Sequence, residues 1–243
     1  MPFLSIVIPA HNEAHRLPGT LEKVLAFLRT QPYSAEVLVV ENGSTDNTLA
    51  LARAFQEANP DVVRVLHEER RGKGLAVQRG MLAARGEYRF LCDADLSMPI
   101  EELPRFLPPQ LTDFDIAIGS RELPESRRLQ EPAYRHLIGR AFNLMVQALA
   151  LPGFRDTQCG FKCFRGEVAD DVFRYQTMTG MSFDVEILFI ARRRGYRIVE
   201  VPITWYFDPD SRVRLVHDSM RMAIDLLAIR WNALRGRYDP PKT

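Results

Sequence analysis

The sequence lacks several features that would point to common classes of protein. Its 243 residues include three cysteines, and its 32 basic and 31 acidic side chains leave a formal net charge of +1. This near-neutral balance argues against a broad nucleic-acid-binding surface. No window reaches about 18 uninterrupted apolar residues, so we expect no membrane-spanning helix. The chain also has no internal repeat and no low-complexity linker, which favours one domain over several.

The cysteines and the N-terminus favour a cytoplasmic location. Cys92, Cys159 and Cys163 lie in apolar or turn contexts, and an odd number is not typical of a disulfide framework. Cys159 and Cys163 resemble half a zinc site, but no second Cys or His pair has a suitable spacing. Met1-Pro2 leads directly into a strand-length run without the basic flank and apolar length of a signal sequence. We therefore expect reduced thiols in a cytoplasm.

Apolar, β-branched runs alternate with segments of helical period in the first half of the chain. Strands that are apolar on both faces need helices on both sides, so the pattern predicts a doubly wound, mostly parallel α/β sheet in a single domain. Ligands bind such sheets at the carboxyl edge. The predicted strands are Phe3–Ile8, Ala35–Val40, Val62–His67, Tyr88–Cys92, Phe114–Gly119 and Arg197–Val201, and the predicted helices are Leu17–Thr30, Thr48–Glu57, Gly74–Ala84, Pro132–Leu149 and Asp184–Arg194.

The last segment, from His217 to Arg235, has the period of an amphipathic helix. Its apolar residues recur at helical spacing and arginines surround them. One interpretation is packing against the domain core, and the other is an interfacial membrane helix or a contact between subunits of a homo-oligomer. The periodic residues are Val216, Met220, Ala223, Leu227, Trp231 and Leu234.

Asp93-Ala94-Asp95 closes the apolar run Tyr88–Cys92 and places two carboxylates where a buried strand should end. Residues two apart on an extended backbone point to the same side, where like charges repel. A divalent cation relieves that repulsion, and Mg²⁺ or Mn²⁺ suits oxygen ligands and leaves positions for substrate phosphates. An ordinary solvated turn is the alternative interpretation.

Two other loops after predicted strands have the composition of ligand-binding loops. Glu41-Asn42-Gly43-Ser44 precedes Thr45 and Asp46, which can cap the next helix, and Glu41 can accept hydrogen bonds from a nucleobase or ribose. Arg70-Arg71-Gly72-Lys73-Gly74 is basic and glycine-rich before a helix, so it can face an anion. It is not a P-loop, because the Gly-x-x-x-x-Gly-Lys-Ser/Thr pattern is absent. Helix capping alone and a solvated loop are the respective alternatives.

Six motifs occur in one order along the chain. They are Pro9-Ala10-His11-Asn12-Glu13, Val40-Glu41-Asn42-Gly43-Ser44-Thr45-Asp46, Arg71-Gly72-Lys73-Gly74, Asp93-Ala94-Asp95, Gly119-Ser120-Arg121 and Asp156-Thr157-Gln158-Cys159-Gly160-Phe161-Lys162. The set resembles family 2 inverting glycosyltransferases of GT-A fold, over about residues 3 to 214. Within that family it looks most like the polyprenyl-phosphate sugar transferases. The last motif, with Phe183-Asp184-Val185-Glu186, leans toward the dolichyl-phosphate glucosyltransferase branch.

The resemblance implies a role for each matching residue. His11 stands where the family usually has tyrosine, Glu41 stands where it usually has aspartate, and Arg212 belongs to a loop that closes over the site. The implied nucleotide-sugar-binding residues are Pro9, His11, Glu13, Glu41, Lys73, Asp93, Ala94 and Arg212. The implied metal ligands for Mg²⁺ or Mn²⁺ are Asp95, Asp93 and Ser97, and the implied catalytic residues are Asp95, Asp184, Arg121 and Arg135.

The need for a general base depends on the acceptor. A hydroxyl acceptor requires a carboxylate base, for which Asp184, Glu186 and Asp156 are candidates. A phosphate monoester has a second pKa of about 6 and is already largely ionised at neutral pH, so arginine forks at Arg121 and Arg135 would only position it. Asp184 and Glu186 would project about 200° apart on a helix, so we expect only one, Asp184, to face the site.

The function expected from the resemblance is metal-dependent transfer of a hexose, glucose from UDP-glucose, to a polyprenyl phosphate. Alternatives are GDP-mannose as donor, a soluble acceptor, a non-catalytic nucleotide-sugar-binding protein and a nucleotidyltransferase. Residues 1–216 would form the GT-A domain, with a nucleotide-sugar half at 1–119 and an acceptor half at 120–216. Residues 217–243 would form a C-terminal amphipathic helix and tail that makes a peripheral contact with the inner face of the membrane.

Overall fold

The computed structural model describes residues 1–209 and 215–239, with the side chains of all of these except 215–219. A seven-stranded sheet has the order β3-β2-β1-β4-β7-β5-β8, and a second sheet pairs β6 with β9. The strands are β1 Leu4–Ala10, β2 Ala35–Asn42, β3 Val63–Glu68, β4 Tyr88–Cys92, β5 Ile116–Ser120, β6 Arg127–Leu129, β7 Phe161–Arg165, β8 Ile198–Pro202 and β9 Thr204–Tyr206. The helices are α1 Leu17–Arg29, α2 Thr48–Ala58, α3 Lys73–Ala83, α4 Ala133–Leu149, α5 Gly166–Arg174, α6 Phe183–Arg193 and α7 Leu215–Leu234, with a short 3-10 helix at Ile100–Phe106.

The main sheet is mostly parallel, as the alternating pattern predicted. β1 pairs in parallel with β2 on one side and with β4 on the other, so the chain reverses its direction of travel across the sheet between them. Ligands bind doubly wound sheets at such a switch point. β7 is antiparallel to both β4 and β5. The predicted single α/β domain with helices on both faces is confirmed.

β1 shows why helices cover both faces of the sheet. Leu4, Ile6 and Ile8 belong to a core layer that also contains residues of α1, whereas Val7 belongs to the layer that contains residues of α3, α4 and α6. Successive side chains of a strand point to opposite faces, so both sets must be covered. Each of these four side chains is fully buried.

Four elements of the second half, β6, β7, α5 and β9, were not predicted from the sequence. The stretch Asp156–Phe164 had no assigned secondary structure, but Phe161–Arg165 forms the central strand β7 and α5 follows it directly. A lysine inside the strand obscured the pattern. Lys162 is fully buried and reaches Asp184 on α6, a partner that lies far along the sequence.

Helix α7 has two apolar faces rather than one. The face that packs into the core consists of Met222, Leu226, Ile229 and Ala233. The predicted apolar residues Met220, Leu227, Trp231 and Leu234 are exposed, so the helix packs on the core through a face that the sequence analysis did not identify. None of the helices in residues 1–209 and 215–239 is long and apolar enough to cross a bilayer.

Candidate active site

A cavity of about 540 Å³ lies at the carboxyl ends of β1 and β4. Its lining includes most of the site residues expected from the sequence: Pro9, His11, Glu13, Lys73, Asp93, Ala94, Asp95, Ser97, Arg121, Arg135 and Asp184. Glu41 does not line it. Arg212 lies outside the described residues. The structure thus brings together in one cavity residues from both halves of the chain.

The two aspartates of Asp93-Ala94-Asp95 lie in a turn rather than on an extended strand. The Leu96 backbone has a φ of 46°, and its N–H donates to the Asp93 carbonyl over 3.3 Å. Asp95 Oδ1 accepts a hydrogen bond of 2.9 Å from the Ser97 N–H. The predicted alignment on one side of an extended backbone is therefore wrong, but both carboxylates still line the cavity.

Gly160 fixes how closely the chain approaches Asp93. A Cβ atom added at Gly160 would lie 1.9 Å from Asp93 Oδ2. No side chain fits there, so the loop before β7 packs its bare backbone against this carboxylate. Lys73, the first residue of α3, also contacts this carboxylate, with its Nζ 2.7 Å from Asp93 Oδ1.

The pKa values of Lys73 and Asp95 are shifted for different reasons. Burial alone would lower the pKa of Lys73, but the carboxylates of Asp93 and Asp184 outweigh it and raise that pKa. Asp95 opens to the cavity, yet the pKa of its carboxyl is raised by the protein atoms that desolvate it and by the charge of Asp93. Lys73 therefore neutralises this carboxylate pair only in part.

The carboxylate pair fits a divalent cation that is shared with a ligand. The incompletely neutralised oxygens of Asp93 and Asp95 are hard donors of the kind that Mg²⁺ and Mn²⁺ prefer. No cluster of three or more His, Cys, Asp or Glu side chains in the described part of the chain could hold a metal ion by itself. A cation bound here would need further oxygens, which a diphosphate supplies.

The tips of β1 and β2 form another part of the site. His11 Nδ1 lies 2.7 Å from the Asn42 carbonyl oxygen, so this nitrogen carries the proton. Glu13 accepts two hydrogen bonds from Arg16, of 2.7 and 2.9 Å. The first contact joins the two tips at the cavity, and the second lies within the loop after β1.

Glu41 is buried beneath these tips, where it organises the loop after β2. Its carboxylate accepts a hydrogen bond of 2.6 Å from the Ser44 N–H and lies 2.5 Å from His67 Nδ1. Burial alone would raise the pKa of Glu41, but the hydrogen bonds from Ser44 and His67 lower it overall. Glu41 therefore supports the loop that borders the site and does not itself face the cavity.

Arginines stacked on aromatic rings form a second wall of the cavity. The guanidinium carbons of Arg121 and Arg128 lie 5.4 and 5.5 Å from the centre of the Trp205 ring, and that of Arg135 lies 5.0 Å from the centre of the Phe207 ring. Such stacking orients a guanidinium without using its N–H donors. Arg128 is also ion-paired with Glu122 and Glu131, so Arg135 is the member of this wall best placed to receive an anion.

Arg121 already has a carboxylate partner. Its Nε and Nη2 donate to Asp156 over 2.6 and 3.0 Å, and its backbone N–H adds a third bond of 3.0 Å. Burial would raise the pKa of Asp156, but Arg121 lowers it to about 2. Asp156 is thus unsuited to act as a base. Arg135, in contrast, makes no ion pair with any described residue.

Asp184 faces the cavity and Glu186 does not, which confirms the predicted divergence of the two side chains. Asp184 lies 2.5 Å from Lys162 Nζ, which also donates to the Cys159 carbonyl. Burial raises the pKa of Asp184, and Lys162 and Lys73 oppose the shift. Glu186 is fully buried and accepts hydrogen bonds from Thr177, Met178 and Tyr238.

Several cavity residues were missed in the sequence analysis. Trp205 and Phe207 are two apart in an extended segment and so share a side, which is a signal that could have been read. Arg128 on β6 carried no local signal, because its place beside Trp205 depends on the pairing of β6 with β9. The other missed cavity residues with polar groups include Arg16, Glu131 and Asp208, whereas Arg71 and Gln158 belong to motifs already identified in the sequence.

Curated relatives match nearly the whole chain. A dolichyl-phosphate beta-glucosyltransferase of Dictyostelium discoideum is 34% identical over 247 residues, which are 96% of this chain and 76% of that protein. The human dolichyl-phosphate beta-glucosyltransferase is 34% identical over 254 residues, which are 99% of this chain and 78% of that protein.

Solved structures share the fold at lower identity. Glucosyl-3-phosphoglycerate synthase from Mycobacterium tuberculosis, in complex with Mn²⁺, UDP-glucose and phosphoglyceric acid, superposes with a TM-score of 0.67 at 18% identity, covering 100% of this chain and 81% of that one. Mannosyl-3-phosphoglycerate synthase from Rubrobacter xylanophilus gives a TM-score of 0.67 at 20% identity, covering 100% and 77%.

The family itself is established by a match to a family model. The model for glycosyl transferase family 2 matches residues 5–173, which include β1 to β4, the Asp93–Asp95 turn and the Arg121–Asp156 pair. Together with the curated relatives and the shared fold, this match shows that the chain belongs to glycosyltransferase family 2 and is a glycosyltransferase.

Proposed function

We propose that the protein transfers glucose from UDP-glucose to a polyprenyl phosphate, with inversion and with the help of a divalent cation. The single observation that carries the proposal is the meeting, in one cavity, of an incompletely neutralised carboxylate pair and a wall of stacked arginines. The first suits a cation and a diphosphate, and the second suits an acceptor anion. The names of the relatives, dolichyl-phosphate beta-glucosyltransferases, support this choice of sugar and acceptor.

On the donor side, the residues at the tips of β1 and β2 would hold the nucleoside. Pro9, His11 and Glu13 would contact it, and Glu41 would support them through the loop that it organises. Lys73 would bind the diphosphate while it keeps its contact with Asp93, because an ammonium group has three donors. Arg212 would also contribute to donor binding, as the resemblance implies.

The metal site would consist of Asp95, Asp93 and Ser97, with Mn²⁺ or Mg²⁺ as the ion. A divalent ion bound there would neutralise the charge that accumulates on the departing diphosphate. Asp95 would be the direct ligand. Asp93, held between Lys73 and Gly160, and Ser97, whose N–H fixes Asp95, would orient it. The Mn²⁺ in the related fold supports a divalent ion but not a choice between the two metals.

On the acceptor side, Arg135 would bind the phosphate and Arg121 would assist through donors that Asp156 leaves available. A phosphate monoester is already largely ionised at neutral pH, so the reaction would need no strong base. This fits Asp184, whose carboxylate is engaged by Lys162. Asp184 would hold Lys162 and Lys73 in place, and would act as a base only toward a hydroxyl acceptor.

A soluble phosphate acceptor is the second candidate. It rests on the similarity to a synthase whose structure contains phosphoglyceric acid, a phosphate-bearing compound that the same arginine wall could hold. An acceptor in a bilayer would instead require a peripheral contact with the membrane through α7.

Product analysis tests the proposal. The protein is incubated with UDP-glucose or GDP-mannose, with Mg²⁺, Mn²⁺ or EDTA, and with either a short-chain polyprenyl phosphate in detergent or 3-phosphoglycerate. We expect mass spectrometry to detect glucosyl phosphoprenol and UDP only with UDP-glucose, a divalent ion and the prenyl acceptor.

Three outcomes would contradict the proposal. Transfer to 3-phosphoglycerate alone would favour the soluble acceptor, and a mannosyl product alone would change the donor. Full activity in EDTA would remove the metal from the mechanism.

A further inference from the structure

Exposed apolar side chains are concentrated on two neighbouring helices. Of the thirteen large hydrophobic side chains that are exposed in the described part of the chain, nine lie on α4 and α7, which pack against each other. Scattered apolar residues on a surface are ordinary, whereas a contiguous concentration marks an interaction site. The nine are Tyr134, Leu137, Leu144 and Leu149 on α4, and Met220, Ile224, Leu227, Trp231 and Leu234 on α7.

The five exposed apolar residues of α7, which we call the outer stripe, follow helical periodicity. They are spaced alternately by four and three residues, so they share one side of the helix. The face that packs into the core includes Met222 and Leu226 and lies about 200° around the helix axis. A helix on a protein that only meets water needs one apolar face. The outer stripe therefore requires a partner.

The charged residues beside the exposed apolar side chains of α4 and α7 favour an anionic partner. α4 carries Arg135, His136 and Arg140 and contains no acidic residue. On α7, Arg221 and Arg230 are exposed. Of the two acidic residues of this helix, Asp218 precedes both arginines in the sequence, and Asp225 accepts a hydrogen bond of 2.6 Å from Ser182. Two basic surfaces repel each other, so a symmetric dimer through these helices is disfavoured.

Tryptophan and arginine at the end of the outer stripe are suited to a membrane interface. The Arg235 guanidinium carbon lies 4.6 Å from the centre of the Trp231 ring, and 54% of Trp231 is exposed. Amphipathic rings and basic side chains with long apolar stems concentrate at the boundary between lipid head groups and acyl chains.

The same two helices also contribute to the cavity. Arg135, Ile138 and Phe142 from α4 and Met222 from α7 line it. The arginine that would bind the acceptor phosphate thus lies beside apolar side chains, on helices whose other sides carry the exposed stripes. An acceptor with a charged head and a long apolar chain matches that order of surfaces.

We propose that α4 and α7 together dock on an anionic lipid bilayer, so that the cavity receives an acceptor phosphate whose prenyl chain stays in that bilayer. The choice of acceptor rests on the proposed function, but the docking surface can be tested without it. α7 lies in the plane of the interface with its outer stripe among the acyl chains and its arginines at the phosphates of the head groups.

Vesicle binding with a matched pair of variants tests the docking surface. The protein is mixed with vesicles of phosphatidylcholine alone or of phosphatidylcholine with phosphatidylglycerol, without donor or acceptor, and bound protein is measured by co-sedimentation. Leu227→Glu places a charge in the outer stripe, and Leu82→Glu makes the same change at an exposed leucine of α3. We expect binding to the anionic vesicles, about tenfold weaker in Leu227→Glu and unchanged in Leu82→Glu.

Several results would overturn the inference. The inference is wrong if wild-type protein binds neither kind of vesicle. It is also wrong if Leu227→Glu binds the anionic vesicles as well as Leu82→Glu does. Analytical ultracentrifugation tests whether a second copy of the chain covers the outer stripe. If the wild type is a dimer that Leu227→Glu converts to monomer, with vesicle binding unaltered, the stripe is a dimer interface.

Activity assays separate this inference from the proposed function. With a short-chain polyprenyl phosphate in detergent, Leu227→Glu should turn over as wild type, whereas with the acceptor in vesicles its rate should fall. Vesicle binding without transfer to any acceptor would refute the proposed function and leave the docking surface standing.

Discussion

On the wall formed by the turn after β4, Asp93 and Asp95 share Lys73 as their neighbouring cation, and the pKa of Asp95 is still raised. On the wall that carries Trp205, Arg121 and Asp156 form a bidentate pair, and the pKa of Asp156 is lowered to about 2. The first wall holds charge that folding leaves uncompensated. The second holds charge that folding has already paired.

The difference separates residues that wait for a ligand from residues that support the fold. An uncompensated carboxylate costs stability and gains it back when a cation binds, whereas a fully paired one stabilises the folded chain and has little capacity left for substrate. We therefore expect substitutions on the two walls to affect different measurements.

Asp95→Asn should have the largest effect, and on activity alone. Removing the charge that would hold the metal should lower kcat about a thousandfold, which corresponds to about 4 kcal/mol of transition-state stabilisation. The same change relieves repulsion with Asp93, so the unfolding temperature measured in EDTA should not fall. Steady-state kinetics and calorimetry check the two halves.

Asp61→Asn provides the control, because it makes the same chemical change at an exposed residue away from the cavity. It should leave both measurements unchanged. Undiminished turnover in Asp95→Asn would remove Asp95 from the mechanism, and a strong loss of stability would contradict the view that its charge is uncompensated.

Asp156→Asn should show the opposite behaviour, with stability as the main loss. It leaves Arg121 with a neutral partner in a desolvated position, which should cost about 3 kcal/mol of unfolding free energy. Because the folded pKa of Asp156 lies below its ordinary value of about 4, its contribution is complete above that pH and is lost as the pH falls toward about 2.

Urea unfolding of both proteins across this pH range checks the prediction. The difference in unfolding free energy between wild type and Asp156→Asn should be constant near neutral pH and should shrink on acidification. A difference that grows as the pH falls would show that the pair does not stabilise the fold in the stated way.

Gly160→Ala tests how closely the backbone must approach the carboxylate wall. The new Cβ would lie 1.9 Å from Asp93 Oδ2, so the carboxylate has to leave its present position, which disturbs its contact with Lys73. We expect kcat to fall about thirtyfold, or about 2 kcal/mol. Gly180→Ala is the matched control, since a Cβ at Gly180 meets nothing within 4 Å. Equal activity of the two variants would show that the position of Asp93 does not matter.

The carboxylate wall was largely predictable from the sequence because its parts follow strands. Pro9 lies next to the last residue of β1 and Asp93 follows β4, and parallel neighbours bring such ends to one edge. Each strand could be read from its own apolar run. The local turn at Leu96, with its positive φ, could not be read, since leucine rarely adopts that conformation.

The arginine wall and strand β7 were less predictable because both depend on long-range pairs. Lys162 lies inside a central strand and reads as a polar break until Asp184 is known to neutralise it. Arg128 reaches Trp205 only through the pairing of β6 with β9. Helix α7 is a different case: when both faces are apolar, periodicity predicts the helix but not which face packs.

Arg135→Ala tests the arginine of the second wall that, unlike Arg121, has no carboxylate partner among the described residues. Arg135 stacks on Phe207 and has no ion-pair partner among the described residues, so it should behave like a group that waits for a ligand. We expect the KM for the acceptor to rise about tenfold, or about 1.4 kcal/mol, with the KM for the donor and the unfolding temperature unchanged. Arg140→Ala, an exposed position on the same helix, serves as the control for solution-phase acceptor in detergent. If Arg135→Ala destabilises the protein as much as Asp156→Asn does, then Arg135 supports the fold, and the contrast between the walls does not extend to individual residues within one wall.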